Sequence, residues 1–495
     1  MYRCSVLLFL LHGSILIGNA RASRPASFGE VHFQNSCLPS VQGDFERGVA
    51  LLHSFEFTES ENAFRQVERA DPECVIAAWG VALANTQRSG PEVPPAKLAS
   101  GLKELEPWLN RPAKTERERM YLAAVSQMYL DYQHTSGDVR WKRYIAAMSE
   151  LRQKYPDDIN ASLFYALGLV WTAGPGAPGL EQRRTALSIL LPIFAAHPDN
   201  PGAAHYIIHA ADTPELASIA LPAARKYAEI APDSPHALHM PSHIFNRLGY
   251  WQESVASNLA SARVADDWVR DGRDGLGDEF HALNNLEYAY LQLGDEEKAR
   301  DVLERIARLA ASPGRDAWLP IDGRIYFDVE THNWQDALKI EPPAGSPFEA
   351  NFDVFWVHAI AAARLSDASQ AGVELDKFHR SSDEWIKKHG WGDILHIALE
   401  QAQAWTLYAQ GKRGRAIETL RQAVQFERNH PIYYADVLPR PSAEMLGDML
   451  EAAGRPAEAL AAYQDALAMA PNRLDSLRGA QTAAAQQGRQ ALAKH

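Results

Sequence analysis

The chain has 495 residues, 46% of them hydrophobic, a formal net charge of -13 and a pI near 5.8. That length exceeds one ordinary core and that apolar content excludes a disordered chain, so several domains or a repeat array are expected. The acidic balance excludes general nucleic-acid binding, which needs a basic face to neutralise phosphates.

The first 22 residues place Arg3 before an apolar run through Ile17 and end in Ala20-Arg21-Ala22. This order reads as a secretory leader cut after Ala22, so a periplasmic or secreted mature protein is expected. No later stretch is long and apolar enough to span a bilayer. The unit 23–85 keeps two cysteines, Cys37 and Cys74, and in an oxidising compartment they are expected to form a disulfide. Two free thiols or a soft metal ligand are the other readings. His53 and Trp79 in this unit read as packing residues.

Residues 86–200 read as degenerate helical repeats, broken at GPEVPP and TAGPGAPG. The unit 201–310 holds HYIIHAAD and HALHMPSHIFN, in which His239 and His243 follow His205 and His209 by 34 residues. At about 100° per residue, His236, His239, His243 and Asn246 fall within roughly 80° of one helix face. Asp212 repeats the phase of Asn246 one unit earlier. His281, Asn284 and Tyr288 repeat the phases of His236, His239 and His243 one unit later.

Two His pairs in register, with His236 and His281 on the same face, are hard to explain as packing, because every buried ring nitrogen would need a partner. Neutral imidazole ligates zinc, copper and iron, so the six histidines are the expected ligands of a transition-metal ion or of two. Asp212 is expected to ligate or to back a ligand and Asn246 to back one, with Asn284 and Tyr288 as substrate contacts. Tyr288 and Asp212 are the catalytic candidates, and neither hydrolase nor oxidoreductase chemistry is favoured. Ligand histidines must be unprotonated, so affinity is expected to fall as pH drops through about 6.5.

Residues 311–352 read as an irregular linker and 353–495 as further helical units. His358 and His396 are expected to be packing histidines, and Glu444 with Asp448 a solvated pair. Near the end, AEMLGDMLEAAGRPAEALAAYQDALAMAPNR carries Gly447, Ala459, Tyr463, Ala466 and Pro471 at the spacing of two packed helices. This stretch resembles the tetratricopeptide repeat. With the HYIIHAAD and HALHMPSHIFNRLGYW segments, the chain as a whole resembles a group of exported bacterial tetratricopeptide-repeat proteins. The resemblance implies an all-α solenoid of helical hairpins, whose first helices line a concave groove that takes a small-molecule or peptide ligand. The leading expectation is an exported metalloprotein, in one form an enzyme on a small or peptide substrate. The others are a peptide-binding scaffold and a metal storage or delivery protein.

Overall fold

The computed structural model describes residues 27–86, 93–109, 111, 113–311, 320–342, 348–389, 392–430 and 440–492. The expected leader lies outside them. An extended segment from Ser27 to Leu38 leads into α1 (Gln42–His53), α2 (Phe57–Ala70), α3 (Ile76–Thr86), α4 (Pro95–Leu109), α5 (Glu116–Ser126) and α6 (Gly137–Lys154). Next come α7 (Ile159–Trp171), α8 (Gly176–Ala196), α9 (Pro201–Ala211), α10 (Ala217–Ile230), α11 (Pro235–His239), α12 (Pro241–Leu248), α13 (Trp251–Arg270), α14 (Leu276–Gln292) and α15 (Glu296–Ala310). The chain continues through α16 (Ile321–Glu330), α17 (Trp334–Ala337), α18 (Phe348–Arg364), α19 (Ala368–His389), α20 (Asp393–Ala409), α21 (Arg413–Asn429), α22 (Ser442–Ala452), α23 (Pro456–Met469) and α24 (Leu474–Leu492). No strand occurs among the described residues.

Helices joined by short loops pack on one another as hairpins. A second ladder runs between alternate helices: α7 packs on α9, α9 on α12, α11 on α14, α14 on α16, and so on through α22 on α24. Such a row of stacked first helices defines an all-α solenoid, in which each hairpin buries its apolar face only against its neighbours.

Local signals set the register of the row. Asn200 caps α9 by accepting from the Ala203 N–H, with Pro201 in the first turn; Ser234 caps α11 by accepting from Ala237, with Pro235 in the first turn. These two starts are 34 residues apart, so each fixes its histidines at the same height. The segment expected as an irregular linker, 311–352, instead holds α16, α17 and the start of α18. Ile321, Ile325 and Val329 repeat every four residues and are buried, a helical stripe too short to stand out beside Pro-rich flanks.

Two long-range closures complete the molecule. At one, α1 packs across α9. At the other, the turn after α23 docks on α13: Trp251 Nε1 donates to the Asn472 carbonyl at 2.9 Å and Asn472 Nδ2 donates to the Gly249 carbonyl at 3.2 Å. Gly249 ends α12 at φ 68°, and a Cβ there would lie 2.1 Å from the Pro471 oxygen. Glycine is thus required twice, for the left-handed cap and for the close approach.

Candidate functional site

Helices α9, α11, α12 and α14 are neighbours in the row and carry all six histidines. They sort into two triads. Ligand-capable atoms of His205, His209 and His236 lie within 4.8 Å of one another, and so do those of His239, His243 and His281. His236 therefore leaves the histidines of its own segment and joins the pair on α9. The triads adjoin, with the His236 and His239 rings 6.3 Å apart. The segment expected as one continuous helix is interrupted at Met240, because Pro241 has no N–H to continue the ladder.

The histidines were expected in an open groove, but His205 is 0% and His239 1% exposed. The cover comes from α1. Its last turn closes through Phe55, at φ 57°, with the Glu56 N–H donating to the Leu51 carbonyl. A left-handed Phe is uncommon and costs about 1 kcal/mol or more, which the surrounding packing must offset. The ring it delivers lies 4.3, 5.3 and 5.5 Å from those of His205, His209 and His236. Trp171 and Tyr227 complete an aromatic wall against His209 and His205.

Hydrogen bonds behind the rings fix their tautomers. His205 Nδ1 meets the His53 carbonyl, which can only accept, so Nδ1 carries the proton and Nε2 the lone pair. That Nε2 and the Nε2 of His209 are buried with no hydrogen-bond partner. His239 Nδ1 lies 2.7 Å from Asn258 Oδ1, and Asn258 spends its N–H on the Ser254 carbonyl, so the His239 Nδ1 also donates. His243 Nδ1 donates to Asp212 Oδ2 at 3.0 Å. His239, neutral and donating through Nδ1, turns its Nε2 lone pair toward the Nε2 of His243 across 2.9 Å. Burial pushes His205 down to about 3 and His209 and His239 well below the ordinary imidazole value, so these rings are neutral. His53 itself is a satisfied packing residue, bonded to Tyr206 and Asn160.

Asp212 backs a ligand and has no oxygen to spare for chemistry. Its second oxygen accepts from Arg247 at 2.8 Å. Burial opposes its charge, but Arg247 and His243 outweigh burial and hold the carboxyl well below the usual carboxylate range.

Residues 442–477 match the tetratricopeptide repeat family. The chain contains a tetratricopeptide repeat. No curated protein matches the chain. Among solved structures it is similar to the yeast Tom70 (12% identity, 90% of this chain and 89% of that one, TM-score 0.39) and to the APC/C hetero-tetramer Cut9-Hcn1 (11%, 92% and 78%, 0.38). A human IFIT1 dimer with m7Gppp-AAAA gives 12%, 79% and 89%, and 0.38. Scores this low establish no common topology, so the architecture rests on the helix ladder and the matched repeat.

The matched repeat reaches the histidine region. In it Gly447 packs under the Tyr463 ring, where a Cβ would come within 2.6 Å. Glu444 was expected on a solvated face but is 0% exposed. The docked turn carries Arg473 onto it, with Nε 2.8 Å from Glu444 Oε2, and Arg440 binds the other oxygen at 2.8 Å. Burial works against its charge, but Arg473 and Arg440 hold Glu444 down at about 2. Asp448, its expected partner, instead pairs with Arg364 and Arg440.

Arg473 also donates to the Tyr288 hydroxyl at 2.6 Å and to Glu330 at 2.7 Å. Tyr288 and Asn284 line a cavity of about 100 Å³ beside His281, together with Asn246. Glu287, on α14 with them, is fully buried and neither of its oxygens has a hydrogen-bond partner; burial, with Asp328 and Glu330 nearby, pushes its carboxyl well up. Phe55, Asn258, Glu287 and Arg473 carried no signal in the sequence. His358 and His396 sit apart, against Glu374 and Phe426. Cys37 and Cys74 are joined in a disulfide with Cα atoms 4.7 Å apart.

Proposed function

We propose that the protein is an exported metal-binding tetratricopeptide-repeat protein that holds two transition-metal ions, one per histidine triad. The observation that carries this reading is the pair of Nε2 atoms of His239 and His243, 2.9 Å apart with both Nδ1 atoms already donating. A cation shared by the two Nε2 atoms satisfies both, in the place that a proton between them takes in the metal-free protein. Two nitrogens on one tetrahedral zinc stand about 3.3 Å apart, close to the spacing here. The Nε2 lone pair of His205 and the Nε2 atom of His209, both buried without partners, pose a like demand in the first triad.

Three imidazole nitrogens with no thiolate and no carboxylate among them suit copper or zinc better than iron, which favours an added carboxylate. His205 held by the His53 carbonyl and His243 held by Asp212 have the backing that metal-bound imidazoles need for orientation. Three protein ligands leave a further position on each ion for a substrate atom or water. The Cys37–Cys74 disulfide supports export, since such bonds persist in oxidising compartments.

Elemental analysis of untagged protein from its native fraction tests the reading. About two equivalents of copper or zinc per chain are expected. Metal-free protein that also takes up nothing from zinc, copper and iron salts would leave a peptide-binding scaffold as the function.

A further inference from the structure

The cavity beside the second triad is a built site. Its volume is about 100 Å³, room for more than one water molecule. His281 brings the metal-binding side to it, while Asn246, Asn284, Tyr288 and Asp322 form its polar wall. The orientation of Asn246 follows from a chain of hydrogen bonds. Asn285 Nδ2 donates to the His281 carbonyl at 3.2 Å, so Asn285 Oδ1 must accept, and it does so from Asn246 Nδ2 at 3.1 Å. Asn246 is thereby turned with its Oδ1 as the remaining group, buried and with no hydrogen-bond partner; Asn284 Oδ1 is in the same condition. Arg473 can only donate, so its bond to the Tyr288 oxygen leaves the tyrosine proton for another acceptor.

We infer that this cavity seats a small neutral molecule whose metal-ligating atom is accompanied by an N–H or O–H group, which donates to Asn246 Oδ1 while the ligating atom takes the open position on the second triad's ion. The inference rests on the metal reading of His239, His243 and His281. The unpartnered Asn246 Oδ1, on a residue that lines the cavity, selects a donor, and the small volume selects a small guest. An analogue of the same kind without the donor leaves a buried acceptor unpaired, which is what makes such sites selective.

Imidazole and 1-methylimidazole test this directly, since both ligate metals through one ring nitrogen and only the first keeps an N–H. Cobalt(II) is loaded into the full-length protein, its content is measured, and each probe is titrated against the visible cobalt spectrum. Imidazole is expected to bind about tenfold or more tightly than 1-methylimidazole, and Asn246→Leu, with cobalt content unchanged, to bring the ratio near one. Asn284→Ala serves as the second variant should Asn246→Leu fail to fold, and a reduced ratio is expected there too. Bound cobalt with equal affinity for both probes overturns the inference while leaving the metal reading standing. A ratio that persists in both variants also overturns it, because a clash with the methyl group would then account for the preference. Protein that binds no cobalt overturns the metal reading and the inference with it.

Discussion

His239 and His243 face each other through Nε2 atoms 2.9 Å apart, and each has its Nδ1 committed behind it, to Asn258 and to Asp212. The pair belongs with His281, and none of the three is shared with the triad of His205, His209 and His236. His243→Ala is therefore expected to lower the metal content from about two equivalents per chain to one, and His209→Ala to do the same independently. The double variant should retain none. Elemental analysis with circular dichroism of each variant checks this. Loss of both ions from either single variant would mean one shared centre.

Asp212 acts on the metal through His243. Asp212→Asn keeps an acceptor for Nδ1 but removes the charge that raises the basicity of the imidazole. A drop of about 10- to 100-fold in affinity is expected at the second triad alone, since that is what loss of a group behind a ligand costs. Competition with a chromophoric chelator measures it. An unchanged affinity would reduce Asp212 to a partner for Arg247.

Phe55 closes the first triad from the end of α1. Phe55→Gly removes the ring and relieves the left-handed strain together, so the helix cap survives while the aromatic cover is lost. Metal content is expected to stay at two equivalents, but chelator should strip one of them at least about tenfold faster, as lids control exchange. Equal stripping rates in the variant and wild type would show that the ion leaves by another route.

Protonation of the metal-free protein follows the sign of the His205 shift. Its folded value, about 3, lies below the ordinary imidazole value of 6.5, so the unfolded chain takes up the proton first. Stability is present above pH 6.5 and is lost as pH falls from there toward 3, by at most about 1.4 kcal/mol per pH unit for this group. Proton competition for the metal is accordingly displaced below the 6.5 expected for a free imidazole. Urea unfolding of the apoprotein at pH 7 and pH 5 should show the lower midpoint at pH 5, and His205→Phe should narrow that difference, the remainder coming from His53, His209 and His239.

Much of this site was legible because repeat geometry copies positions. The 34-residue step from His205 to His239, reinforced by Asn200-Pro201 and Ser234-Pro235, located the histidines and their common face. Their grouping was not legible, since Pro241 interrupts the helix and His236 crosses to α9. Phe55 and Arg473 were hidden for a different reason. Each reaches the site from more than a hundred residues away, through closures of the superhelix that no local period encodes. Glu444 follows the same logic, because its buried charge depends on Arg473 arriving from the docked turn.

Glu287 extends this to a group whose role is set by what surrounds it. Its carboxyl is buried on α14, with both oxygens lacking hydrogen-bond partners and with Asp328 and Glu330 disfavouring its charge. The folded value is raised above the unfolded 4.5, so the stability linked to the proton is complete below pH 4.5. It is lost as pH rises through the folded value. Glu287→Gln keeps the shape without a titrating proton. At pH 5 the variant should match wild type to within about 1 kcal/mol, because one neutral polar group replaces another. Toward pH 9 it should become the more stable of the two, with the gap widening by up to about 1.4 kcal/mol per pH unit. Thermal unfolding across that range checks it, and a gap that stays constant with pH would mean that Glu287 is ionised in the folded protein and has found a cation.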